Sequence, residues 1–242
     1  MRGVEMPLTA APPRKFLEDR HSVALVEFAT LFPVLVLLLF GAYDLARGAD
    51  AVRGLTRLSN SIATMLATNS TGYVNYTNLH YAFDGAAVIF PEVLRDASSK
   101  NIAWKNDISI SMAGVGFAPT VVGCTVGCTY VSQIYWTSGS MNRACGTSPA
   151  ATADNAAGSN PLVLPNDLFT PVATPAGGNA APNFVIVVDV TYRWTPLIGR
   201  GFLPSITFQR SAFLAARYAP GGVVKYNAIP NDDGFGKECP GF

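Results

Sequence analysis

The chain has 242 residues, of which 14% are charged and 49% hydrophobic, and its formal net charge is +1. A soluble protein usually carries about 25% charged residues, and a disordered chain carries more charge and less apolar surface than this one. The near-neutral balance gives no electrostatic case for nucleic-acid binding, and the 22 Gly and 17 Pro follow no Gly-X-Y period, which excludes a collagen helix.

The apolar excess has an address. Residues 1–22 carry Arg2, Arg14, Lys15 and Arg20, and then Val23 to Tyr43 runs for 21 residues with one charge, Glu27. A helix of that length spans about 32 Å, against roughly 30 Å for the hydrocarbon core of a bilayer. The run predicts a transmembrane helix over 23–43. A cleaved secretory signal fits less well. Its apolar region is about 7–15 residues, with a small-x-small site close behind. Here Ala49-Asp50-Ala51 lies well beyond the run. Four basic residues precede the run, and Arg47, Arg53 and Arg57 follow it, a slight positive-inside bias. The remaining 199 residues hold all four cysteines, Cys124, Cys128, Cys145 and Cys239. An even count beyond a membrane segment suits an oxidising compartment. The N-terminus is therefore expected in the cytoplasm and the C-terminal domain outside it.

Beyond Tyr43 the helical pattern continues. Apolar residues fall at Leu45, Ala49, Val52, Leu55, Leu58, Ile62, Met65 and Leu66, and six steps carry Leu45 to Leu66, 21 residues on. That spacing is a helical stripe. Asp44, Arg47, Asp50, Arg53 and Arg57 fill the polar positions, and Asn69, Ser70 and Gly72 supply a stop. One continuous helix over about 23–68 is expected. Residues 44–70 form its amphipathic extension, and residues 71–242 form an outer domain. Glu27 is the anomaly. A carboxylate near a bilayer centre costs at least about 2.5–3.5 kcal/mol, and less near the interface. At the cytoplasmic end its side chain can reach water.

Three stretches together carry a resemblance: Arg20-His21-Ser22-Val23-Ala24-Leu25-Val26-Glu27-Phe28-Ala29, then Phe32-Pro33-Val34-Leu35, then Tyr43-Asp44-Leu45-Ala46-Arg47. They resemble the N-terminus of the TadE/TadG-like pseudopilins of tight-adherence (Flp-type) bacterial pilus systems. The resemblance implies a leader removed by a prepilin peptidase between Ser22 and Val23. Serine stands where the family usually has Gly. Glu27 becomes the fifth mature residue, followed by Phe28, and pairs with the N-terminal amine of a neighbouring subunit. The implied partners are the membrane, other pilin or pseudopilin subunits, the peptidase and an inner-membrane assembly platform, with no nucleic acid and no cofactor. The implied location is the bacterial inner membrane, single-pass, with a periplasmic C-terminal domain. Some members of the wider family act uncleaved, as anchored proteins. The alternative function is therefore an anchored extracytoplasmic binding module that enters no filament.

In the outer domain, residues 78–95 read as a short helix with Asn78 as N-cap and Leu79, Phe83, Ala86, Phe90 and Leu94 on one face. Pro91 weakens that reading. Strands are expected over 108–112, 130–136, 184–194 and 206–214. In the second, Tyr130, Ile134 and Trp136 share a face. In the third, Phe184, Ile186, Val188, Val190, Tyr192 and Trp194 share a dry face, while Val185, Val187, Asp189, Thr191 and Arg193 share a wet one. Residues 146–183 read as a long surface insertion with a short element around Leu162–Phe169. The expected fold is α+β and pilin-like: a long helix packed on an antiparallel sheet of about four strands. Val190 to Ile198, with its aromatic-x-aromatic-x-Pro-Leu, is similar to the C-terminal strand pair of the same family.

Four cysteines allow three pairings. One of them closes a tight loop at Cys124–Cys128 and ties the C-terminus back through Cys145–Cys239. Zinc is a poor fit, since the two histidines, His21 and His80, are badly placed. Asn231-Asp232-Asp233-Gly234 reads as a turn rather than a calcium loop. Asp84, Glu92, Asp96 and Asp107 show no spacing that separates them from surface charges, and no enzyme motif is present.

Overall fold

The computed structural model describes residues 20–124, 128–139, 143–147, 172–173, 179–180, 183–198, 204–229 and 233–242. Two compact units divide between Arg47 and Gly48. Helix α1 covers Arg20–Ala67, 48 residues with Pro33 inside. In the first unit its large apolar side chains from Leu25 to Tyr43 are exposed, except half-buried Val36.

The second unit is a helix-on-sheet domain. Ala51, Leu55, Leu58, Ile62, Ala63, Leu66 and Ala67 of α1 are all buried in its main core; of the stripe read from the sequence Leu55, Leu58, Ile62 and Leu66 are buried, while Leu45, Ala49 and Met65 are exposed. Strand β1 (Tyr73–Asn75) pairs in parallel with β9 (Lys225–Asn227). Then come α2 (Tyr76–Asp84), α3 (Ala86–Ile89) and α4 (Glu92–Lys100). The single helix expected over 78–95 is thus three pieces. The N-cap is Asn75, whose side chain accepts the Asn78 N–H at 3.0 Å, while Asn78 Oδ1 accepts the Asn75 N–H at 3.1 Å. Phe90 leaves the helical region (φ −128, ψ 71) ahead of Pro91, as the proline ring disfavours helical backbone before it. The restart shifts the buried face. Leu79, Phe83, Ala86 and Phe90 are buried as expected, but beyond Pro91 the buried residues are Val93, Asp96 and Ala97, with Leu94 42% exposed. Close contact between α1 and the α3–α4 connection needs Gly54, where a Cβ would meet the Phe90 ring at 2.6 Å.

The main sheet contains β2 (Ile108–Pro119), β3 (Tyr130–Gly139), β4 (Gly146–Thr147), β7 (Val185–Trp194), β8 (Ile206–Ala215) and β10 (Gly236–Glu238). Its order is β10-β3-β2-β7-β8, antiparallel throughout, with two-residue β4 also on β3. The α+β class and the packing of helix on antiparallel sheet are as expected. The path holds five strands rather than four, because three-residue β10 is too short to show a period. Strands β5 (Val172–Ala173) and β6 (Asn179–Ala180) form a separate hairpin. The element expected at Leu162–Phe169 lies outside the described residues.

Two face assignments are corrected. The β2–β3 register shifts between Gly114 and Val115, pairing Gly114 with Trp136 and Val115 with Ile134. Tyr135 is the extra residue of the bulge, so Trp136 joins the main core and Ile134 a second one. The second face of β7 is dry over Val185, Val187 and Asp189, while Thr191 is half-buried and Arg193 exposed as expected. Val185 and Val187 pack with Ala113, Val115, Ile134 and Cys239, flanked by Phe117, Phe213 and Phe242. Asp189 on that face is 2% exposed and takes both Nε (2.6 Å) and Nη2 (2.8 Å) of Arg143, itself 5% exposed. Cover comes from the segment before β4 and from the C-terminus, joined by the Cys145–Cys239 disulfide.

Candidate functional site

Leu25 to Tyr43 exposes Leu25, Val26, Phe28, Leu31, Phe32, Val34, Leu35, Leu37, Leu38, Leu39, Phe40 and Tyr43, each between 41% and 71%. Soluble monomers rarely expose a contiguous apolar patch of more than a few hundred Å². Among the described residues one helix is long and apolar enough to cross a membrane.

Glu27 is exposed on this helix, four residues from Val23, or about 6 Å along the axis. The Thr30 hydroxyl donates to its backbone carbonyl at 2.9 Å. Phe28 and Phe32 are ring neighbours at 5.5 Å, the i,i+4 contact that steadies a helix. Pro33 leaves the Ala29 carbonyl without its helical N–H donor. Ser22 and Val23 lie within α1. The arrangement places a carboxylate one to two turns into an apolar rod, where a cation in the same medium is its natural partner.

In the outer domain the disulfides are Cys124–Cys128 and Cys145–Cys239, four and 94 residues apart in sequence. The first braces the turn between β2 and β3, and the second ties the C-terminus to β4. Asp233 accepts the Phe235 N–H at 2.9 Å and lies 3.0 Å from His80 Nε2. The backbone bond, with the nearby His80, holds its carboxyl below the usual range. Asn231 and Asp232 of the expected turn lie outside the described residues. No group of three or more His, Cys, Asp or Glu among the described residues is placed to hold a metal ion.

Of the four carboxylates read as surface charges, two are. Asp84 pairs with Lys105 at 3.1 Å and Glu92 with Arg95 at 2.6 Å. Asp96 and Asp107 are instead buried, at 6% and 4% exposure. Both meet Lys100 Nζ, at 2.7 and 2.6 Å. Lys100 was not singled out from the sequence. Its spacing from Asp96, i to i+4 on one helix, was the available signal.

Residues 23–63 match the family model described as TadE-like protein. The TadE-like segment covers most of α1 and none of the sheet. It contains the exposed apolar run, Glu27, Phe28 and, of the residues buried in the core, Ala51, Leu55, Leu58, Ile62 and Ala63. No curated protein and no solved structure matches the chain.

Proposed function

We propose that this chain is a minor pilin or pseudopilin of a tight-adherence, type IV-like pilus. Residues 1–22 act as a cytoplasmic leader, 23–43 cross the inner membrane, 44–70 continue the helix, and 71–242 form the periplasmic domain. The observation that carries this reading is a TadE-like helix whose apolar half is uncovered and holds a single carboxylate. Lipid covers that half before assembly, and the helices of neighbouring subunits cover it afterwards. Cleavage between Ser22 and Val23 frees an amine, and Glu27 of the adjacent subunit pairs with it. The pair offsets part of the desolvation cost of both charges and fixes the register between helices. Phe28, beside Glu27, packs at the same contact. The prepilin peptidase and an inner-membrane assembly platform are the partners that such a route requires, and the role is structural rather than catalytic.

Serine at position 22 favours a second reading, in which the leader stays and the chain is a single-pass anchor for an extracytoplasmic binding module. Glu27→Ala separates the two. The pilin reading expects pilus yield to fall at least tenfold with membrane levels of the protein unchanged, about 1.4 kcal/mol or more of lost assembly free energy. Unchanged piliation contradicts a pairing role for Glu27.

A further inference from the structure

Lys100 closes α4 at a place the pilin role does not use. Its ammonium has three protons and three acceptors: Asp96 Oδ2 at 2.7 Å, Asp107 Oδ1 at 2.6 Å and the Arg193 carbonyl at 2.6 Å. The side chains of Lys100, Asp96 and Asp107 are 14%, 6% and 1% exposed. The Tyr192 hydroxyl donates to Asp96 Oδ2 at 2.6 Å, and its ring lies 5.7 Å from Lys100 Nζ. Phe90 packs edge-on against that ring.

A settled buried ion pair sets one cation against one anion and satisfies every remaining polar atom. Here two carboxylates share one ammonium, and Asp107 Oδ2 is buried with no hydrogen-bond partner. Burial, the largest influence, and the neighbouring Asp96 raise the proton affinity of Asp107, Lys100 lowers it, and the balance lies above the ordinary aspartate value. Transfer of one proton from the ammonium to the Asp107 carboxyl, across the 2.6 Å contact, removes both charges of the pair. The result is a neutral amine touching a carboxylic acid, with a second carboxylate within reach to carry protons. Fixed contact of this kind replaces a bimolecular encounter, and a positioned carboxylate is a competent proton carrier.

We propose that Lys100 and Asp107 condense into an intramolecular amide, with Asp96 as the catalytic proton carrier. One proton passes from Nζ through Asp96 to the Asp107 carboxylate. The freed nitrogen lone pair attacks Asp107 Cγ, and the Nζ–Cγ bond forms. A second Nζ proton passes through Asp96 to the hydroxyl, the Cγ–O bond breaks, and water leaves. Ammonium plus carboxylate becomes amide plus one water, so no oxidant, cofactor or second substrate enters. Two buried charges disappear in the step. The cross-link welds the end of α4 to the residue preceding β2, where the Asp107 carbonyl already accepts the Arg193 N–H at 3.3 Å.

Mass spectrometry of the reduced, denatured full chain tests this directly. The chain is expected to be lighter by one water than its sequence from the observed N-terminus. An amidated lysine is not a trypsin site, so residues 96–105 and 106–143 should emerge as one branched peptide. Full mass with free cleavage after Lys100 overturns the proposal. Asp107→Ala should restore the full mass. Asp96→Asn keeps both reacting side chains and should leave them unlinked; a complete cross-link in that variant overturns the role of Asp96.

Discussion

Glu27 holds a negative charge on a stretch of helix where the large side chains around it are apolar and exposed. In the proposed assembly its cost in lipid falls when a cation shares its surroundings, which gives it a role in selecting a partner rather than in stabilising its own chain. A charge of the opposite kind of consequence sits at Asp233. The Phe235 N–H, with His80 nearby, depresses the carboxyl, so its contribution to stability is complete above the ordinary aspartate range, about pH 4. That contribution is lost as pH falls through the depressed value in the folded state. Asp233→Asn should therefore flatten the acid limb of the unfolding curve below about pH 4, read by circular dichroism of the full chain in detergent. An unaltered limb contradicts the assignment. Among single residues, Glu27 was legible because a lone charge in 21 apolar residues has no competitor for attention. Asp96, Lys100 and Asp107 were not, since burial of a charge is decided by what folds over it. Here that cover comes partly from Tyr192 and Arg193, more than 80 residues away in the sequence.

At the scale of elements, α1 supplies the stripe from Ala51 to Ala67 to the main core, beside Leu79, Phe83, Ala86 and Val93 of the shorter helices. Leu55, Leu58 and Ile62 are each 0% exposed. Removing most of one such side chain costs about 2–5 kcal/mol, depending on how far the site collapses. Leu58→Ala should thus lower stability by that amount in denaturant unfolding, while Leu45→Ala, at a position 76% exposed, should change it by less than about 0.5 kcal/mol. Equal effects contradict the assignment of this stripe to the core. The helix was legible from its period, as were β2, β7 and β8 from their alternation. The break between α2, α3 and α4 was only half legible. Pro91 announced it, but the frame of the next helix depends on the backbone of Phe90, which composition does not encode. The bulge at Tyr135 was hidden for the same reason. One extra residue inverts the faces beyond it, and only the partner strand reveals where it falls.

For the whole molecule, the α+β class and the helix-on-sheet packing followed from a long helical stripe and short loops between alternating strands. The coverage of the sheet's second face did not. It depends on Arg143 reaching Asp189 and on the Cys145–Cys239 bridge holding the C-terminus over Val185 and Val187. These contacts join residues far apart in sequence and leave no periodic trace. A bridge that closes so long a loop stabilises by about 2–4 kcal/mol, so Cys145→Ser with Cys239→Ser should lower the midpoint of thermal unfolding by several degrees. No change in midpoint contradicts the view that this cover is part of the core. The account as a whole rests on the TadE-like helix entering an assembly with a freed N-terminus. Sequencing the N-terminal peptide of the protein extracted from membranes tests that most directly. The expected first residue is Val23, with Glu27 fifth; a chain that retains residues 1–22 contradicts the pilin reading, and one that lacks Val23–Tyr43 contradicts any role for the apolar helix.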